Sequence, residues 1–188
     1  AFVNDYNELL KLITTRTSEE RFRDYEPLSD DEKEALSEKE IELWNAKAKS
    51  GILRNDAALK AIESELKSCM YSAVKELGDP DKIFGILAEI GISTGNYSEK
   101  GQLHLDEKKL RETLETDTQK VLGMLTQQSS VSFSLYASQE SQQKRFSESG
   151  VFWRLSDVLA KNLNTVGKKG ALIHLVGSPQ SEIGRAHV

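Results

Sequence analysis

The residues best spaced for chemistry are Gly91-Ile92-Ser93-Thr94-Gly95, the pattern of a nucleophile elbow, with Asp106 and His174 following in the chain order of an α/β-hydrolase triad. An elbow of that kind needs a buried strand before the serine and a helix directly after it. The first exposes the hydroxyl, and the second donates an oxyanion amide. After Ser93 the sequence offers turn residues and a second strand instead, and the alternating βα units of a hydrolase are absent. Asp106 stands where a helix N-cap belongs. The expectation is therefore a hairpin, not a hydrolase, and no catalytic residue is assigned.

His104 lies on the polar side of its segment and His174 in an apolar run, neither at ligand spacing from another His or from Cys. No metal-binding or cofactor-binding residue is assigned. Gly167-Lys168-Lys169-Gly170 lacks the glycine spacing and the Gly-Lys-Ser/Thr end of a phosphate loop and reads as a helix stop with solvated lysines. Asn96-Tyr97-Ser98 matches a glycosylation sequon, which an ordinary hairpin turn explains as well. Cys69 is the only cysteine and reads as a small buried apolar residue, with no internal disulfide open to it. Trp44 and Trp153 fall at helical core positions without the basic neighbours that a base-stacking surface needs.

The elements that would position these residues are mostly helical. Phe2, Tyr6, Leu9, Leu10 and Ile13 have helical spacing, and residues 18–28 form a charged loop ending at Pro27. Ser29 with Glu32, and Ser37 with Glu40, offer two capping boxes. The second opens a helix with Ile41, Trp44 and Ala48 on one stripe, stopping near Ser50-Gly51. Asn55 is placed to cap a helix whose Leu59, Ile62, Leu66 and Cys69 or Met70 form a heptad-like seam that needs a partner helix. Gly78-Asp79-Pro80 breaks the chain.

Ile90 and Ile92 alternate with Gly91 and Ser93, and Leu103 and Leu105 with Gln102 and His104, across turn residues Gly95-Asn96 and Lys100-Gly101. Asp106 then caps a helix carrying Leu110 and Leu114, with Leu105 and Leu110 at staple spacing. Thr116 and Gln119 have capping-box spacing before a helix with Val121, Leu122 and Leu125. The Ser/Gln-rich stretch 127–149 reads as an exposed excursion with one short strand at Val131, Phe133 and Leu135. Val151, Leu155, Val158, Leu159 and Leu163 restore a helix, and 171–176 is an ambiguous apolar run. The fold class expected is mostly α, an elongated helical domain with a small β-hairpin inserted between helices (α+β).

Of the 188 residues, 25 are basic and 30 acidic, a net charge of −5, which supplies no basic field for a phosphate backbone. Nucleic acid is excluded as an expected partner. No apolar run is long enough to span a bilayer, so membrane insertion is not expected either. Residues 182–188, Glu-Ile-Gly-Arg-Ala-His-Val, read as a non-native tail, leaving 1–181 as one region.

The strand–Asp–helix–helix order of 83–125, the opening Phe2-Val3-Asn4-Asp5-Tyr6-Asn7-Glu8-Leu9-Leu10 and the later Gly150-Val151-Phe152-Trp153-Arg154-Leu155-Ser156-Asp157 together resemble the C-terminal region of the bacterial flagellar filament cap family, also called hook-associated protein 2. The resemblance implies a non-enzymatic assembly protein, exported by the flagellar type III route to the distal tip of the filament. There it would form a cap oligomer with copies of itself, touch flagellin and the hook-associated junction proteins, and promote flagellin polymerisation. It also implies two alternatives: an adhesive module at the tip, with 127–149 as a surface for host mucin, or another axial protein, a flagellin or a junction protein.

Overall fold

The structure, a computed structural model, describes residues 1–77, 83–163 and 170–172. His174, Gly78-Asp79-Pro80, Gly167-Lys168-Lys169 and the tail 182–188 lie outside the described residues. The described chain is mostly α, with eight α-helices and two small antiparallel sheets. The helices are α1 (Phe2–Ser18), α2 (Asp30–Glu34), α3 (Glu38–Lys49), α4 (Ala57–Tyr71), α5 (Glu107–Thr116), α6 (Thr118–Thr126), α7 (Gln139–Glu148) and α8 (Val151–Leu163).

The heptad-like seam of α4 finds its partners inside the chain. Ile62, Leu66, Cys69 and Met70 are buried against Tyr6, Leu10 and Ile13 of α1 and Val151 and Val158 of α8, in one core that α6 completes with Val121 and Met124. The partner helix that this seam needs is supplied twice over: α4 is the central helix, with α1 and α8 both packed on it. Both serine capping boxes form as spaced. Ser29 and Ser37 accept from the backbone amides of Glu32 and Glu40, whose carboxylates return to the serine amides. Asn55 does not cap α4; Asp56 does, accepting from Leu59 N–H at 2.8 Å, while Asn55 turns through φ 59°. Likewise Asp117, not Thr116, caps α6 through Lys120 N–H, and the Thr116 hydroxyl bonds back to Glu112 within α5. In both cases the carboxylate one residue later takes the cap position.

The hairpin pairs β3 (Ile92–Thr94) with β4 (Leu103–Leu105), in register Ile92↔Leu105, Ser93↔His104 and Thr94↔Leu103. It is shorter than its apolar alternation suggests. Ile90 ends a 3₁₀ turn, Leu87–Ile90, and is fully buried, because Gly91 takes φ 88° and breaks the extended run. A side chain at Gly91 would also meet the Asp106 carbonyl at 2.7 Å, where the Asp106 amide donates to Gly91 O. Asn7 of α1 completes the edge of β4. Its amide nitrogen donates to Leu103 O and its amide oxygen accepts from Leu103 N–H, both at 2.8 Å, so one side chain stands in for a ladder partner.

A second two-stranded sheet joins β1 (Val74–Lys75) to β2 (Ile83–Gly85). Phe84 of β2 sits against Gly123 of α6, where any larger residue would overlap its ring. Residues 131–135 form no strand, and the excursion 127–149 contains α7 instead, with Ser138 capping it through Ser141 N–H. Serine and glutamine hid this helix, because neither marks an apolar stripe.

Candidate functional site

The most elaborate polar site is built around Arg154 of α8, only 1% exposed. The periodicity of α8 places position 154 on the same inward face as Val151 and Val158, so a guanidinium occupies a core position. It donates to Phe146 O (2.8 Å), Ser72 O (2.7 Å) and Ala73 O (2.8 Å), and lies 4.4 Å from the centre of the Phe146 ring. Among the described residues no carboxylate meets it. The last carbonyls of a helix have no partner inside it and carry the negative end of its dipole, and those of α4 and α7 converge here. Arg154 thus closes two helix C-termini at once. Burial nevertheless lowers its pKa to about 10, and the fully buried Cys69 thiol beside it is pushed up to about 12 by desolvation, which the Arg154 charge opposes.

Gly150 explains how α8 can start so close to its neighbours. Its amide donates to Gln127 O at 2.8 Å, and a side chain there would lie within 2.7–2.8 Å of the backbone of Leu125, Thr126 and Gln127. The Gln127 side chain in turn donates to Lys75 O and Glu148 O and accepts from Leu77 N–H, tying β1 to the end of α7. Glu148 receives the Ser129 hydroxyl together with the amide and hydroxyl of Ser130. Burial pushes the Glu148 carboxyl up, but these hydrogen bonds outweigh it and hold the group below its ordinary value. Arg145, 7% exposed, forms a bidentate pair with Asp157 at 2.6 and 2.8 Å and donates to Val131 O. The serine-rich stretch is therefore fastened at both ends. With α4 and α8 it walls a cleft of about 1040 Å³ that includes Phe133, Gln142, Arg145, Asp157 and Lys161.

Ser93 and Asp106, the described residues singled out for hydrolase chemistry, form no catalytic arrangement. Ser93 is exposed on β3 and faces His104 across the hairpin, and a strand end and turn follow it, with no helix to donate an oxyanion amide. Asp106 is engaged as the cap of α5, accepting from Lys109 N–H at 3.0 Å. His104 contacts the Glu99 carboxylate, which that bond and the Asn96 amide hold below its ordinary pKa. Gly95 leaves room for this pair, since a side chain there would overlap both groups. Tyr97 of the sequon is fully exposed at the hairpin tip.

Trp44 and Trp153, expected in the core, are only half-buried. Each indole N–H donates to a carbonyl, Glu26 O and Thr126 O respectively, which keeps the ring edge at the surface. The reading of 151–163 by apolar residues alone missed Arg154, and only its position four after Gly150 and three after Val151 could have marked it as inward. Among the described residues no cluster of His, Cys, Asp and Glu could hold a metal ion, and no helix is long and apolar enough to cross a membrane.

Comparison with known proteins gives a consistent result. A family model described as flagellar hook-associated protein 2 C-terminus matches residues 1–183. The flagellar hook-associated protein 2 of Halalkalibacterium halodurans is 36% identical over 170 residues, covering 88% of this chain and 31% of that relative. The protein of the same name from Thermotoga maritima is 31% identical over 126 residues, 64% of this chain and 18% of that relative. The chain thus spans less than a third of the length of either relative. No solved structure matches it.

Proposed function

The chain belongs to the family of flagellar hook-associated protein 2, whose C-terminal part it matches, and we propose that it is the scaffold of a protein that caps the distal end of the flagellar filament and promotes flagellin polymerisation. The observation that carries this reading is the match across residues 1–183, which takes in the Asn7 edge, the Gly91–Asp106 turn and the Gly150–Asp157 node in one continuous region. The fold agrees with a structural role. Its two buried charged side chains, Arg154 and Arg145, are spent on backbone carbonyls and an ion pair, and Asp106 on a helix end. Along α8, Phe152, Leu159 and Leu163 remain 41–49% exposed on one side of the helix, and each would contribute about 1–2 kcal/mol if covered in an assembly. The partners in this proposal are copies of the same protein, flagellin and the hook-associated junction proteins. The location is extracellular, at the filament tip, reached by the flagellar type III route. Family membership favours the cap over the flagellin and junction-protein alternatives.

Deleting the gene that encodes this region tests the proposal. The deletion strain should shed flagellin into the medium and carry hooks without filaments, and the full-length gene should restore them. Filaments of normal length in the deletion strain would overturn the reading. The second reading, adhesion by 127–149, is favoured by the cleft which that stretch walls. A glycan array probed with the folded chain should then show binding that Phe133→Ala abolishes, and a blank array removes it.

A further inference from the structure

Residues 19–56 stand apart from the core in packing and in charge. The buried core draws on α1, α4, α6, α8, the Leu87–Ile90 turn and the β3–β4 hairpin, and none of its members, nor any half-buried residue packed on it, lies between 19 and 56. Neither α2 nor α3 buries a residue. What holds this stretch together is its own small cluster. Tyr25 packs on Trp44 with ring centres 4.6 Å apart, Phe22 packs edge-on to Tyr25, and Lys47 lies over Tyr25 and bonds its hydroxyl at 2.8 Å. Trp44 closes the cluster by donating to Glu26 O.

The joint to the rest of the molecule is narrow. Across it Asn55 N–H donates to Thr17 O (3.0 Å), and within the stretch its two ends are tied together by the Ser50 hydroxyl to Glu20 O (2.7 Å) and Gly51 N–H to the Glu19 carboxylate. Gly51, at φ 70°, lies so close to Arg21 that a side chain would meet its backbone at 2.7 Å. Charge is divided in the same way: residues 19–56 hold 12 acidic and 7 basic side chains, and the 18 acidic and 18 basic residues elsewhere cancel. The whole net charge of −5 therefore belongs to this stretch.

We propose that residues 19–56 form an arm that detaches and closes as a separate cooperative unit while the helical bundle stays folded, with closure favoured by salt. Like charges confined to a thin, mostly exposed unit repel one another across water, and ions screen that repulsion, whereas the neutral bundle feels no comparable net effect. A unit with few buried apolar contacts and a narrow joint is the kind that opens below the global unfolding free energy.

Hydrogen exchange of the full 188-residue chain, followed by mass spectrometry at low and at high sodium chloride, tests this. Amides of α3 should exchange at least tenfold faster than those of α4, and added salt should slow α3 several-fold while leaving α4 unchanged. Gly51→Ala, which strains the base of the arm against Arg21 without touching the core, should speed α3 exchange further and leave α4 as it was. Exchange of α3 and α4 at one common rate, an equal salt effect on both, or a Gly51→Ala effect that reaches α4 equally would overturn the proposal.

Discussion

Arg154 shows why a charged residue can sit in a core without an acidic partner: the carbonyl ends of α4 and α7 supply the negative potential and the acceptors together. Arg154→Ala would leave three buried carbonyls unpaired at once, and about 3–5 kcal/mol of stability should be lost in urea unfolding. Arg154→Lys should recover less than half, since one ammonium cannot span carbonyls on two separate segments. Asp106 makes a smaller, local contribution. Asp106→Ala should cost about 0.5–2 kcal/mol and Asp106→Asn much less, because asparagine caps comparably, and thermal unfolding of both variants checks the order.

Glu148 contributes with a definite pH dependence. Its folded pKa lies below the ordinary 4.5, so its stabilisation is present above that pH and is lost as the pH falls through the folded value. Glu148→Gln should therefore lower the free energy of unfolding near neutrality by about 1 kcal/mol, and the gap to the parent should close as the pH falls through the folded value of the carboxyl. A gap that stays constant down to pH 3 would show that the serines bind the side chain for reasons other than its charge.

At the scale of elements, close approach decides what the helices may carry. Gly150→Ala would drive a methyl group into the backbone of Leu125–Gln127, and because backbone cannot step aside, about 1–3 kcal/mol should be lost by chemical denaturation. Gly123→Ala should be similarly costly, since it would overlap the Phe84 ring. The helices with strong punctuation were legible in the sequence. Ser29 with Glu32, Ser37 with Glu40, and Asp106 all cap as their spacing implied, and the apolar spacing of α4 matched its buried face. What escaped was whatever depends on distant neighbours. The α7 helix carries no apolar stripe, and β1 and β2 are too short to show alternation. The Val131–Leu135 alternation formed no strand; the Val131 amide donates to the Ser129 hydroxyl and its carbonyl accepts from Arg145 instead of from another strand. The core role of Arg154 required knowing that two helices end beside it.

On the scale of the whole molecule, a neutral bundle centred on α4 carries a hairpin on one helix and an acidic arm on a narrow joint, with its buried arginines committed to holding elements together. The proposal of assembly at a filament end rests on the family match over 1–183, with which those features agree. The most direct test is immunogold electron microscopy of intact flagella, using antibodies raised against this chain. Gold confined to the distal tips of filaments is the result expected of a cap. Gold distributed along the filament, or collected where the hook meets the filament, would contradict it and point to a flagellin or a junction protein instead.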